Sequence, residues 1–310
     1  MNKQIALVTG AGGFVGSNIV RKLILKKFEV HILVKKTTNL YRLNDVIKLI
    51  KVHYDDLSDE KKLTKTLSSI SPNYIFHLAT FENYRDQTKV LEMIDTNIIG
   101  TKNLLFASSN IPYSCFINTG SSSEYGLKKK PMKESDILEP LSFYAATKAS
   151  ATHLCYSFAK QFNKPIITFR LFSVYGRDEG KSRLIPQLIN KTLNNMPISL
   201  TKGQVRHDFI YIDDVVDAYL KAIKISHKPG EIYNIGSGKQ FTNKQVLELL
   251  HKISKKKILL SKEPFERRLW DTNFWVANIS KTKNRLKWKP KYGLEAGLKK
   301  TYTHFAKNHV

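Results

Sequence analysis

Three short stretches of this 310-residue chain have residue types and spacings that suit chemistry. The first is Thr9-Gly10-Ala11-Gly12-Gly13-Phe14-Val15-Gly16, directly after the apolar run Ile5 to Val8. Its spacing is G-x-x-G-x-x-G through Gly10, Gly13 and Gly16, not the G-x-G-x-x-G of the general dinucleotide fingerprint. The physical use is similar. Glycine allows a tight turn and a close backbone approach, and a following helix N-terminus offers N–H groups to a pyrophosphate. The second is Tyr144-Ala145-Ala146-Thr147-Lys148. Residues i and i+4 share a helix face, so the ammonium can lie near the phenol. A phenol of ordinary pKa, about 10, is a poor base. A neighbouring cation lowers that value, and the pair can then exchange a proton with a hydroxyl near neutral pH. The third is Thr119-Gly120-Ser121-Ser122-Ser123-Glu124-Tyr125-Gly126, after the apolar run Cys115 to Asn118. Hydroxyls at the carboxyl end of a parallel strand stand where such sheets bind ligands.

The end of the second apolar strand bears on the cofactor. Val30 to Val34 is followed by Lys35-Lys36, with no acid to meet a ribose hydroxyl. Two cations there favour a 2′-phosphate, so NADP(H) is the expected cofactor, with NAD(H) possible. The nine His include no H-E-x-x-H and no carboxylate cluster, and no catalytic metal is expected.

These residues need elements to carry them. Strands are expected at Ile5 to Val8, Val30 to Val34, Leu49 to Tyr54, Tyr74 to Leu78, Cys115 to Asn118 and Ile166 to Leu171. Helices are expected at Asn18 to Lys27, Ser58 to Leu67, Val90 to Ser108 and Ser142 to Phe162. Short apolar strands alternating with helices imply an α/β fold, a Rossmann-type doubly wound parallel sheet covered on both faces. The alternation weakens after about residue 176, leaving one βα passage at Phe209 to Ile223 and a strand at Ile232 to Ile235. The expected division is a nucleotide-binding domain of residues 1–175, with 208–236 returning to it. Residues 176–207 and 237–310 would form a smaller mixed α/β substrate-binding lobe.

Composition excludes several classes. Hydrophobic residues are 42% and charged residues 25%, which is ordinary for a globular chain with a core. Two cysteines, Cys115 and Cys155, build neither a disulfide framework nor a multi-cysteine zinc site. No apolar run approaches the ~18 residues of a membrane helix, and the first residues lack a signal-peptide pattern, so a cytoplasmic protein without membrane partners is expected. The formal charge of +25 raises nucleic acid as a partner. Yet only 10 of the 51 cations are Arg, and no aromatic-interleaved basic stripe accompanies them. No nucleic-acid partner is expected.

In order along the chain, the motifs resemble the extended short-chain dehydrogenase/reductases, the NAD(P)-dependent nucleotide-sugar epimerases and dehydratases. Thr9-Gly10-x-x-Gly13-Phe14-Val15-Gly16 matches the family's opening. Asp56-Leu57 resembles its adenine-contacting acid and neighbour, and His77-Leu78-Ala79-Thr80 its turn after the fourth strand. Asn97 with Gly100-Thr101 matches its long-helix motif. Ser121, with Ser122 and Ser123 behind it and Thr119 ahead, stands where the family keeps a catalytic Ser or Thr. Tyr144 and Lys148 match its catalytic pair, and Arg170-Leu171-Phe172-Ser173-Val174-Tyr175-Gly176 resembles the segment meeting nicotinamide and substrate. The resemblance implies that Tyr144 exchanges a proton with a sugar C4 oxygen held by Ser121. Lys148 would bind the nicotinamide ribose and depress the Tyr144 pKa, and the cofactor would carry hydride. It further implies substrate contacts from Ser122, Ser123, Ser173, Arg183, Leu184, Arg206, Arg268 and Asp271, a nucleotide-diphosphate sugar as substrate, and a homodimer through the long helices.

Departures from the family pattern narrow the reaction. Its 4,6-dehydratases place Asp-Glu directly after the catalytic hydroxyl residue, where this chain has Ser122-Ser123. Serines do not replace carboxylates in acid–base work at C5 and C6. A 4-keto-6-deoxy-sugar reductase and a 4-epimerase remain, and Lys35-Lys36 favour the reductase. A non-catalytic basic Rossmann binding protein is the competitor from another class, and an intact Ser121, Tyr144 and Lys148 speaks against it.

Overall fold

Strands β1 (Ile5–Thr9), β2 (Glu29–Val34) and β4 (Tyr74–His77) are almost wholly buried, as continuous apolar runs covered on both sheet faces must be. The computed structural model describes residues 3–81 and 88–307. With β3 (Lys51–Tyr54), β5 (Cys115–Ser121), β6 (Ile166–Leu171) and β10 (Glu231–Ile235) they form a seven-stranded sheet in the order β10-β6-β5-β4-β1-β2-β3. β1 pairs in parallel with both β2 and β4, and the order reverses there. In open α/β sheets ligands bind outside the carboxyl ends at this switch point. Both Thr9 and His77 stand at that end, paired in register. The Rossmann-type α/β fold expected from the sequence is the fold observed.

The helices of this part are α1 (Phe14–Leu25), α2 (Glu60–Ile70), α3 (Val90–Ile94), α4 (Gly100–Ala107) and α5 (Phe143–Gln161). α2 starts two residues later than Ser58, because Asp59 accepts the Lys62 N–H and caps it. The expected helix Val90 to Ser108 forms, but α3 and α4 are joined by a π-helical turn, Asp95–Ile99. That turn carries Asn97, and π turns recur at functional sites. The remaining helices are α6 (Leu184–Leu193), α7 (Ile212–Ala222), α8 (Asn243–Ser254), α9 (Ser280–Leu286) and α10 (Leu294–Lys307). Short strands β7 (Ser173–Tyr175) and β9 (Phe209–Tyr211) pair in parallel, and β8 (Arg206–His207) pairs antiparallel with β11 (Phe241–Thr242). No helix is expected from the sequence where α8 and α10 lie. The signal in the sequence for α8 was a capping box, Thr242 with Gln245, ahead of buried Val246, Leu247 and Leu250.

By contacts the chain divides into two compact units. The first comprises residues 1–124, 138–170 and 216–233, and the second 125–137, 171–215 and 234–310. The first has its core around Leu7, Leu33, Leu63, Ile75, Leu104 and Phe116. The second is organised around buried Asp208, whose carboxylate accepts from the Ser237 N–H and hydroxyl (2.6 Å each) and the Gly238 and Ala277 N–H groups (3.0 Å each).

In the first unit a buried hydroxyl–imidazole relay ties β1 to β4 and α4. Thr101 donates its one hydroxyl proton to the Asn97 carbonyl (2.7 Å), so His77 Nε2–H must donate to Thr101 (2.9 Å). His77 Nδ1 then accepts from Thr9 (2.8 Å), whose oxygen accepts the Leu78 and Ala79 N–H groups (3.2 Å each). Burial, with the Lys148 cation adding to it, holds the imidazole down to about 3. The unfolded chain, with an ordinary imidazole, takes up a proton first. The stabilisation tied to neutral His77 is therefore complete above pH 6.5 and is lost as pH falls through about 3. Denaturant unfolding at pH 7 and pH 5 checks this. The stability difference between wild type and His77→Gln is expected to shrink by about 2 kcal/mol on acidification.

Candidate active site

The glycine loop is built by close approach. Gly10 has φ +67, and a Cβ there would lie 2.5 Å from the Ala79 nitrogen and the Leu78 carbonyl carbon. Gly13 donates to the Gly10 carbonyl (3.0 Å) and starts α1 without a capping side chain. A Cβ on Gly16 would stand 2.2 Å from the Gly10 oxygen. The turn thus admits only backbone, and the first N–H groups of α1, from Phe14 and Val15 onward, head a helix of 12 residues. Such a cradle fits a dinucleotide pyrophosphate.

The segment after β2 folds over this loop. A Cβ on Gly12 would meet the Asn39 carbonyl at 2.9 Å, and Arg42 donates to the Gly12 carbonyl at 3.2 Å. The Arg42 guanidinium lies 4.6 Å from the Tyr41 ring centroid, and Arg21, paired with Asp45 at 2.9 Å, donates to the Arg42 carbonyl. Arg42 was not singled out from the sequence. It lies seven positions beyond Lys35, and only the path of the loop brings it to the glycines. Lys35 pairs with Asp56 at 3.2 Å, and Lys36 is exposed. Burial works against the Asp56 charge, but the Ser58 N–H and Lys35 outweigh it and keep this carboxyl below its ordinary range. Leu57 packs where a Cβ on Gly100 would sit, 2.9 Å away.

Asn97 uses its amide on the chain after β4. It accepts from the Thr80 hydroxyl (3.0 Å) and the Phe81 N–H (2.8 Å), and donates to the Phe81 carbonyl and the Thr147 hydroxyl (3.0 Å each). The π turn thereby joins the Leu78-Ala79-Thr80 turn to α5. Thr119 is turned elsewhere, to the Tyr219 hydroxyl at 2.7 Å.

α5 is capped by Ser142, which accepts the Ala145 N–H, and one turn carries both Tyr144 and Lys148, buried at 7% and 4% exposure. The Lys148 charge acts on His77, Glu124 and Cys155. Ser121 ends β5 and leads into a 3-10 turn, Ser122–Tyr125. Its hydroxyl donates to Ser123 Oγ (3.0 Å) and accepts the Ser123 N–H (3.1 Å). Glu124 is not strand-like. It folds under the turn, accepting the Ser121 N–H and Arg170 Nε, both at 2.7 Å.

In the second unit, Phe172 leads into β7, which carries Ser173 and Val174. The Phe172 N–H donates to the Ile235 carbonyl and the Ser173 N–H to the Asp208 carbonyl, both at 3.0 Å. Arg183 and Leu184 open α6. Arg268 and Asp271 form a tight turn in which Asp271 accepts the Arg268 N–H at 2.9 Å. Their charges and that of Arg183 converge on His207, which shielding from water holds down to about 4, with Asp271 opposing and the two arginines assisting. Arg206 is directed away, to Gln204 (3.2 Å).

The profile of the NAD-dependent epimerase/dehydratase family matches residues 6–236. The chain belongs to that family. A Bacillus subtilis protein described as an uncharacterized UDP-glucose epimerase is 30% identical over 94% of this chain and 95% of its own length. The Escherichia coli dTDP-4-dehydro-6-deoxyglucose reductase is 27% identical over 96% of each chain. The crystal structure of UDP-glucuronic acid 4-epimerase from Bacillus cereus, in complex with UDP-glucuronic acid and NAD, superimposes with a TM-score of 0.90 at 27% identity, covering 99% of this chain and 100% of that one. The protein is an enzyme of this NAD(P)-dependent, extended short-chain dehydrogenase/reductase type. No helix of the described residues is long and apolar enough to cross a membrane.

Because a Cβ on Gly16 would displace the Gly10 carbonyl, Gly16→Ala is expected to weaken binding of a reduced nicotinamide dinucleotide by about tenfold or more. Fluorescence titrations with NADH and with NADPH, beside a melting curve, measure it.

Proposed function

We propose that the protein is an NADP-preferring reductase of a nucleotide-diphosphate 4-keto-6-deoxy sugar, working at C4 in the cytoplasm. The observation that carries the reading is the charge at the ends of two strands. At the end of β2 Lys36 is exposed, Arg42 reaches the glycine loop, and Lys35 is held on Asp56. At the end of β5, Ser122 and Ser123 occupy the positions where dehydration needs carboxylates, and the nearby Glu124 is committed to Arg170. The first supports NADPH, the second argues against elimination of water, and the reductase relative acts on a 4-keto-6-deoxy sugar by its name.

The residues present fit a nicotinamide dinucleotide. Gly10, Gly13, Phe14, Val15 and Gly16 would hold its pyrophosphate, Asp56 and Leu57 its adenine, Leu78, Ala79 and Thr80 its central part, and Lys148 the nicotinamide ribose. When bound, the cofactor supplies hydride to C4. Tyr144 passes its phenol proton to the C4 oxygen, and the Ser121 hydroxyl turns its one proton from Ser123 Oγ to that oxygen. Lys148, a buried cation on the same helix face, favours the phenolate that remains. Arg183, Arg268 and Asp271 would receive the nucleotide diphosphate, for which guanidinium groups suit bidentate binding.

A homodimer is part of the proposal. Ile98, Leu138, Pro140, Ala149 and Leu154 line an apolar groove along α5. Leu91 and Phe106 are exposed on the neighbouring helices, at 73% and 45%.

Three experiments test the reading. NADPH is expected to bind at least about tenfold tighter than NADH, and Arg42→Ala to erase most of that difference. Equal binding in the wild type would sink the NADP assignment. Tyr144→Phe is expected to lower kcat by about a hundredfold or more with cofactor affinity within threefold. Incubation with NADPH and nucleotide-linked 4-keto sugars or hexoses separates the reactions. Net oxidation of NADPH supports the reductase, and sugar isomerisation without net oxidation assigns a 4-epimerase instead.

A further inference from the structure

We propose that Glu124, through its buried pair with Arg170, is the positioning residue of this site. In this role it directs the Ser121 hydroxyl and balances the cations around Tyr144. This rests on the reading of Ser121, Tyr144 and Lys148 as the reacting groups. Glu124 is fully buried at 0% exposure and Arg170 nearly so at 2%. One carboxylate oxygen takes Arg170 Nε and the other the Ser121 N–H, both at 2.7 Å. β5 makes room for that oxygen with a glycine: a Cβ on Gly120 would lie 2.5 Å from it. The carboxylate therefore closes the 3-10 turn from below. Within that turn the Ser123 N–H and hydroxyl set the direction of Ser121 Oγ.

Stability gives a poor account of such a pair. Desolvating two charges costs about as much as their attraction returns, and apolar replacements are often neutral or stabilising. Charge balance gives a better one. Glu124 is faced by Arg170 from β6, Lys148 and the Cys155 thiol from α5, and the Ser121 N–H from β5. Two buried cations thus share one buried carboxylate. Burial pushes the Glu124 carboxyl up, while Arg170, the Ser121 N–H and Lys148 oppose that shift. Loss of its negative charge leaves Arg170 and Lys148 uncompensated, which favours the Tyr144 phenolate.

Glu124→Gln keeps an oxygen for the Ser121 N–H and removes the charge. Steady-state kinetics across pH, with whichever nucleotide sugar the wild type turns over, tests the role. The expected result is a fall in kcat of about ten- to a hundredfold, with the sugar KM and NADPH affinity within threefold. The alkaline limb of the kcat/KM profile, where the phenol proton is lost, is expected to move to lower pH. The double variant Glu124→Gln/Arg170→Met removes both charges and covers the case in which the single variant does not fold. It is expected to return the alkaline limb towards wild type while kcat stays low. A lower melting temperature with unchanged kcat and pH profile overturns the proposal, as does loss of folding in both variants, since either assigns the pair to the fold alone. Absence of wild-type turnover on any nucleotide sugar sinks the functional reading and this one together. Turnover indifferent to Glu124→Gln sinks only this one.

Discussion

At the carboxyl end of β1 the backbone of Gly10 passes so close to Leu78 and Ala79 that no side chain fits between them. That approach is the constraint on which the first unit's chemistry depends. It brings the loop heading α1 against the turn leaving β4, at the point where the strand order reverses. Thr9 holds the two together by accepting both N–H groups of the β4 turn. Its own proton goes to His77, and His77 is locked in one tautomer by Thr101. A cradle for an anion thus rests on neutral, fully used hydrogen bonds, with positive charge brought to the glycine loop by Arg42 and the α1 N-terminus.

Buried charge is concentrated where β4, β5 and β6 end. Lys148, Glu124 and Arg170 are all shielded from water, and each charge is felt strongly because little solvent screens it. The same shielding keeps His77 neutral and pushes the thiols of Cys115 and Cys155 up to about 12, so neither cysteine supplies a nucleophile. The second unit repeats the theme with different groups. Asp208 draws four donors onto one carboxylate, which anchors the chain near β7 and β10, while the charges of Asp271, Arg183 and Arg268 act on His207. Exposed lysines elsewhere account for most of the +25 and add little that is specific.

Much of this was legible from the sequence because it is local. The spacing of Gly10, Gly13 and Gly16, the i, i+4 relation of Tyr144 and Lys148, and the apolar strand runs are set by backbone periods. Those periods specify the sheet, the glycine loop and the phenol–ammonium face without any long-range information. Helix α8 was missed, although its Thr242–Gln245 box stands ahead of Val246, Leu247 and Leu250 at helical spacing.

What only the tertiary structure decided are meetings between residues far apart in the chain. Arg42 reaches Gly12 because the loop after β2 turns back over the glycines. Lys35 is drawn to Asp56 from the next strand's end, so one of two apparently equivalent lysines is already paired. Glu124 reads as a misplaced acid in the sequence, and becomes half of a buried pair only when β6 delivers Arg170 from 46 positions away. Hydrogen bonds and charges act over a few ångströms. The sequence therefore determined which groups this protein has and which local faces they share, while the packing of β2, β5 and β6 decided which charges are free to meet a ligand and which are spent on each other.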